Sequence, residues 1–343
     1  MKYRKFIGIL GLLLVLIACQ KEKNVFENSR VIYVKEFPET LTLVGEKLTM
    51  APMGVSGLYV IDTFLLVGNL EQPFFFSVYN LNTQRDIGQW VPRGHGPLEV
   101  TMAMFGGQHF YDQGSVKFWF LDINQNKVFE LDLTASAAEG KTVLRDVTTF
   151  PLRFFKTFHI NDTTCFSYQY DTKSISYVLH GLDGSSQTEW TLYKDVDMDA
   201  ESYFASTDRL KPDGTKLVLG MRFFDQINIL DMKGKDNLTI TTSEQLYDLD
   251  DIKEKRVVPN IIYSCLQCSD DKIFALYMDQ SFSDWQRKEK PVEIHVFDWS
   301  GQPLYKIDIP QYLSYFSIDF KGKALYGLTY GEEIYRYDLS ALD

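Results

Sequence analysis

Cysteine is scarce in this chain: Cys19, Cys165, Cys265 and Cys268 are the four in 343 residues. Setting Cys19 aside leaves an odd number, far from a disulfide framework. Cys265-Leu-Gln-Cys268 lacks the second Cys/His pair of a zinc site and the setting of a thioredoxin motif. In a strand, positions i and i+3 face opposite sides, so these two read as packing residues. Histidine is nearly as rare, with five, none paired as His-Glu-x-x-His. No Gly-x-Ser-x-Gly elbow occurs, which leaves a serine hydrolase of that kind unsupported. Gly181 to Trp190 is superficially similar to a sialidase Asp-box, but it is too long and occurs once. Ala-rich helical stretches are also lacking, while 25 Phe, 20 Tyr and 5 Trp favour sheet.

Long apolar runs are confined to the amino terminus. Phe6 to Ala18 is a thirteen-residue apolar stretch preceded by Lys2, Arg4 and Lys5. It falls short of the roughly 20 residues needed to span a bilayer. A basic start, an apolar middle and small residues before a cysteine define a secretory signal, and Leu16-Ile17-Ala18-Cys19 places Cys19 where lipidation replaces ordinary cleavage. The expected divisions are a signal peptide over 1–18, a flexible polar tether over 19–29 and one folded domain over 30–343. Cys19 is the expected lipidation site, in the cell envelope at the outer membrane.

Positive charge is the third deficit. The first 18 residues take three of the 35 Lys+Arg and none of the 46 Asp+Glu, so the remainder carries 32 against 46, a formal charge of −14. Such a surface disfavours nucleic acid and anionic headgroups as partners. Membrane attachment then falls to the acyl chains, of which more than one suffices for stable anchoring.

What the chain has in abundance is a repeat. A turn followed by an apolar strand recurs at Phe64, Val116, Thr164, Leu217, Ile273 and Ala324, with spacings of 52, 48, 53, 56 and 51. A second strand trails each, ending at Asn80, Asp132, Asp183-Gly184, Asp231, Asp298 and Asp338. Asp and Asn bond their own backbone at turns and Gly supplies positive φ, so these are hairpin ends. Two hairpins every roughly 50 residues, six times over, predict an all-β, six-bladed β-propeller with four-stranded blades. The sixth unit stops after its third strand. Val31 to Phe37 is expected to supply the missing outer strand and close the ring, which removes an exposed edge.

Leu210-Lys-Pro-Asp-Gly-Thr-Lys-Leu-Val218 resembles the Pro-Asp-Gly hairpin of TolB-like propeller repeats. Arg93-Gly-His-Gly-Pro-Leu-Glu99 resembles the Arg-Gly-x-Gly-Pro-x-Glu element of six-bladed, TolB-like or NHL-like lipoproteins of Bacteroidetes. The resemblance spans essentially everything after Cys19 and implies fold and envelope location more than chemistry. Gln20-Lys21-Glu22 partly resembles the signal that sends such lipoproteins to the cell surface, although Lys23 and Asn24 depart from its acidic run; the alternative is a periplasmic-facing position.

With strands lettered a to d from the axis outward, the b–c and d–a loops share one rim, where binding on a rigid scaffold is expected. Candidate ligand-binding residues there are Arg93, His95, Glu99, Asp122, Asp171, Arg222, Asp225 and Trp285. An Arg93–Glu99 ion pair sealing neighbouring blades is the competing structural reading of the first group. Asp195, Asp197 and Asp199 alternate as Ca²⁺ ligands do, but Ala200 and Ser206 stand where an EF-hand-like loop needs Gly and Glu, so they read as a solvated loop. An insertion over Asp279 to Lys290 sets Phe282 and Trp285 beside Arg287, Lys288 and Lys290.

The expectation is a lipid-anchored envelope protein that binds a ligand, glycan or protein without catalysis and without a cofactor. A metal-dependent propeller hydrolase or lactonase is the alternative, with a scaffold in an envelope transport complex as the third reading. Converging carboxylates at the axial mouth would favour the enzyme. Aromatics and unpaired charges there would favour binding.

Overall fold

The computed structural model describes residues 24–26, 28–50, 52–170, 173–196, 204–244, 246, 251, 260–287 and 291–342. Its strands form six sheets of four or five strands, each one blade of a propeller. Blade 1 runs through Val55–Ile61, Phe64–Asn69, Phe74–Asn80 and Arg85–Pro92. Blades 3, 4 and 5 repeat this meander from Lys156–Asn161, Ser206–Leu210 and Ile261–Cys268. In blade 2 the innermost strand is broken into Ala103–Phe105 and Phe110–Asp112, both pairing with Ser115–Asp122. Among the described residues no helix is long and apolar enough to cross a membrane.

The hairpins sit where the turn chemistry places them. Asp213 Oδ1 accepts from the Thr215 amide at 2.9 Å and its hydroxyl at 2.6 Å, and Asp298 does the same for Ser300 at 2.8 and 2.7 Å. Asp183 with Ser185 and Asp338 with Ser340 repeat the arrangement. An Asx turn closed by a Ser or Thr two residues on therefore recurs from blade to blade.

Blade-to-blade packing explains why the b strands read as unbroken apolar runs. Phe64 and Leu66 belong to the cluster between blades 1 and 2, whereas Leu65 and Val67 belong to that between blades 6 and 1. Leu217 and Leu219 face blade 3 and Val218 faces blade 5. A strand buried on both faces shows no polar alternation, because every second side chain meets a different neighbour.

Ring closure differs from expectation in its register. The fourth strand of blade 6 is Gly45–Lys47, antiparallel to Ile334–Asp338. Val31 to Phe37 does not supply it. Ser29–Tyr33 instead adds as a fifth, parallel strand to the outer edge of blade 4, and Thr40–Thr42 does so on blade 5. The outer edge of every blade offers the same unpaired groups, so the segment takes three edges in succession and straps blades 4, 5 and 6. The strap begins inside the stretch expected as tether. Phe26 is 1% exposed among blade 3 and blade 4 side chains, and Asn24 Nδ2 donates to Thr239 Oγ1 at 3.0 Å.

Two helices were not anticipated. Leu133–Glu139 (α1) fills the c–d connection of blade 2; Asp132 caps it by accepting from the Ala135 amide, and Gly140 ends it at φ 65°. Phe282–Arg287 (α2) forms in the blade 5 insertion, where Ser281 Oγ accepts from the Asp284 amide at 3.1 Å.

Candidate functional site

The inner strands converge on a channel, and its loop-rim half is open. A cavity of about 250 Å³ is lined by inner-strand residues of blades 2 to 6, among them Phe105, Lys156, Asp208, Arg209, Tyr263 and Tyr315, and by Arg222 from a b–c loop. A second compartment of about 450 Å³ shares Arg222, Ser264 and Tyr315 with the first and continues outward past Leu70, Tyr330 and Glu332. Together they fall in the size range of sites for small organic ligands.

Asp208 and Arg209, adjacent in an otherwise ordinary inner strand, point to different neighbours because strand side chains alternate. The Asp208 side chain is fully buried; its Oδ2 accepts from Lys156 Nζ and from the Tyr177 hydroxyl, both at 2.5 Å. Burial, followed by this carboxylate, holds the Tyr177 phenol well above its ordinary pKa. Arg209 turns the other way. Its guanidinium reaches the break in the inner strand of blade 2, where a Cβ on Gly107 (φ 82°) would stand 3.2 Å from Nε. Glycine is thus required there both by the backbone and by the close approach. The charge of Arg209 also acts on Tyr59, whose phenol burial pushes up to about 12, and on Cys265. Arg209 therefore crosses the channel and floors the cavity. Its Nη1 donates to the Asp208 carbonyl, while the buried Nε–H finds no acceptor among the described residues.

The mouth is marked by Arg222. Its guanidinium stacks over Phe223, 5.6 Å from the ring centroid, and no described carboxylate pairs with it. Ser264 Oγ, which lines both compartments, is buried and lacks a described partner. Tyr263 is fixed behind it: its hydroxyl donates to Asp225 Oδ1 at 3.2 Å, and burial, then Asp225, raises this phenol well above its ordinary pKa. Glu332 turns away to accept from the Gly54 and Val55 amides at 2.7 and 3.2 Å.

Of the described ligand-binding candidates named from the sequence, only Arg222 lines this cavity. Asp225 acts one step behind it, saturated by Tyr263, Thr242 and Ser243. Asp122 is fully buried and accepts from Thr101, Asn124 and Gln125, so it ties its own loop and is no ligand group. Arg93 and Glu99 form no ion pair. Arg93 donates to the Asn69 and Gln72 carbonyls and lies 3.5 Å from the Phe75 ring centroid, sealing blade 1. Glu99 folds back to accept from the Gly96 amide at 2.8 Å, and a Cβ on Gly94 would meet its Oε2 at 2.0 Å. The Arg-Gly-x-Gly-Pro-x-Glu element is thereby accounted for as a self-bracing loop, from which His95 projects into solvent. Asp195 is exposed; Asp171, Asp197, Asp199, Cys19 and the Trp285 side chain lie outside the described residues.

Residues missed in the sequence are Lys156, Asp208, Arg209, Tyr263, Ser264 and Tyr315. A usable signal existed: charged side chains inside an innermost strand have only the channel or a buried partner to face. Cys265 and Cys268 do face opposite sides, in the packing of blades 5–6 and 4–5, and burial pushes the Cys268 thiol up to about 12. Among the described residues no three His, Cys, Asp or Glu group as a metal site.

The opposite rim carries a bowl of about 540 Å³ with Asp62, His109, Tyr111 and Asp319. Its polar groups are largely spent on each other: the Tyr111 hydroxyl donates to Asp62 at 3.3 Å, and Asp319 accepts from the Gly322 amide at 2.8 Å. Although larger than either compartment of the loop-rim cavity taken singly, it offers less unpaired polarity.

These features define a six-bladed propeller with an axial, loop-rim cavity. The chain belongs to the TolB-like 6-blade propeller-like family, whose family model matches residues 33–321. None of the curated proteins matches the sequence. Among solved structures, a member of the DUF4221 family from Bacteroides vulgatus is similar at 12% identity and a TM-score of 0.57, over 86% of this chain and 97% of that one. The C-terminal WD40 domain of Sif2 covers 83% of this chain and 69% of its own at 12% identity and a TM-score of 0.41. The Myceliophteria thermophila Cps50 (Swd1) propeller covers 87% and 100%, at 12% and 0.43. The first of these likenesses speaks to the fold alone.

Proposed function

We propose that this protein is an envelope lipoprotein, acylated at Cys19, whose propeller captures a ligand or glycan in the loop-rim cavity without turning it over. The observation that carries the reading is the cavity itself, where Arg209, Arg222 and Ser264 present polar groups without described partners between tyrosines. The rim carboxylates Asp122, Asp225 and Glu332 are engaged within their own loops or by the neighbouring strand, so they are poorly placed for acid–base work. The lipid anchor is supported by the basic, apolar and small-residue sequence before Cys19.

Docking of Asn24 on blade 4 bounds the tether. Five links separate Cys19 from Asn24, at most about 18 Å of extended chain. An acylated Cys19 holds the blade 4 flank close to the bilayer.

The test is a saccharide array probed with the full-length protein in detergent, as wild type and as Ser264→Trp, which sets a bulky ring where the two compartments meet. Capture lost in the variant, with its thermal unfolding unchanged, supports the reading. Capture that survives the obstructed cavity, or turnover of a captured saccharide, refutes it.

A further inference from the structure

We propose that the loop-rim cavity selects an oxyanion carried on a small organic body, held between Arg209 and Arg222. The inference rests on the reading of this cavity as the ligand site and adds the chemical class of what it takes. The chain as a whole is strongly acidic beyond Cys19, yet the charged lining of the inner compartment is Lys156, Arg209 and Arg222 against Asp208 alone. Lys156 and Asp208 neutralise each other through Oδ2, and Asp208 Oδ1, buried without a described partner, leaves room for a ligand hydroxyl beside the anion. Two guanidinium groups are left over, and no described carboxylate pairs with either.

Burial sharpens the argument. The Arg209 Nε–H is out of contact with solvent and has no acceptor among the described residues, and arginine cannot shed its charge as a buried lysine can. A buried donor without an acceptor is rare and costly in native structures. The Ser264 hydroxyl is in the same condition on the same wall. Guanidinium matches a carboxylate or phosphate edge with two parallel bonds. Tyr315, which is only partly buried, supplies flat apolar area for the body that carries the anion, and it feels the Arg222 charge, which pulls its pKa down against the burial that raises it. A carboxylate-bearing saccharide and a sugar phosphate present the same chemistry here, and they are separated by experiment.

Equilibrium binding to the full-length protein in detergent is measured with three probes: a hexuronic acid disaccharide, the matching neutral disaccharide, and a hexose phosphate. Each is run on wild type and on Arg222→Gln, whose side chain makes no described bond that folding depends on. The proposal expects one or both acidic probes to bind in preference to the neutral one. It expects Arg222→Gln to weaken the acidic probe roughly ten- to hundredfold while changing the neutral probe little, and added salt to weaken only the acidic probe. Preference for the uronate or for the phosphate identifies the source of the anion. Equal binding of acidic and neutral disaccharides, with Arg222→Gln indifferent, overturns the anion proposal and leaves the cavity as a ligand site. Failure of all three probes also overturns it, and the array comparison with Ser264→Trp then judges the broader reading separately.

Discussion

Replacing Phe26 by Ala tests whether the amino-terminal strap is part of the fold. Phe26 is 1% exposed, its ring 6.1 Å from that of Tyr193, in the slot between the outer parts of blades 3 and 4. Removing a buried phenylalanine side chain forfeits its transfer free energy and leaves a cavity, about 3–5 kcal/mol in a closed core. One wall of the slot is the strap alone, which can settle inward, so the low end applies, about 3 kcal/mol. The loss falls on docking of the strap rather than on the blades, since Ser29–Tyr33 pairs with Asn237–Thr241 along one edge only. Amide hydrogen exchange in Val31 to Val34 should therefore accelerate by about a hundredfold. Exchange in Leu217 to Leu219, between blades, should not change. Strap amides that keep their wild-type rates, or acceleration of every blade together, would refute docking of the strap as a separate unit.

Three further outcomes follow from particular contacts. In Gly45→Ala the new Cβ meets Tyr337 Cε1 at 2.5 Å, and because that ring is buried and its hydroxyl donates to Gln311, urea unfolding should show a loss of about 1–3 kcal/mol; an unchanged midpoint removes Gly45–Lys47 from ring closure. Glu99→Ala should cost about 1–3 kcal/mol by leaving the Gly96 amide without its acceptor, yet leave saccharide capture intact; lost capture in a folded variant returns this loop to the binding site. In acid, Glu293 is held down to about 2, first by its contact with His295 and then, against burial, by Lys306. Its folded pKa lies below the unfolded value, so its contribution is present above about pH 4.3 and fades as pH falls toward 2. Glu293→Gln should flatten stability against pH in that window, and an unaltered slope contradicts the assignment.

The parts of the fold that were legible in the sequence are those punctuated by side chains that bond their own backbone. Asp213, Asp298 and Asp338 mark hairpin ends whatever surrounds them, and with them the b and c strands of each blade. The closing strand was not legible in this way. Val31 to Phe37 and Gly45 to Lys47 compete for equivalent outer edges, and nothing local in VIYVKEF tells blade 4 from blade 6. α1 was hidden because its alanines follow directly on a strand, and only the Asp132 cap separates the two. The candidate site was legible at Arg222 alone. Polar residues on the rim drew attention to Asp122, Asp225 and Glu99, yet a carboxylate on a tight loop is the group most readily consumed by that loop's own amides. The cavity is walled from the innermost strands, which carry no turn signature, and Asp208-Arg209 discloses itself only through charge placed where a strand has no solvent.

The central claim, that the loop-rim end of the channel is where this propeller holds its ligand, is tested most directly by difference electron density for a saccharide captured by the full-length protein. Density is expected between Ser264, Tyr315 and Arg222. Density in the bowl of Asp62, His109 and Tyr111 on the opposite rim, with the loop-rim cavity empty, contradicts it.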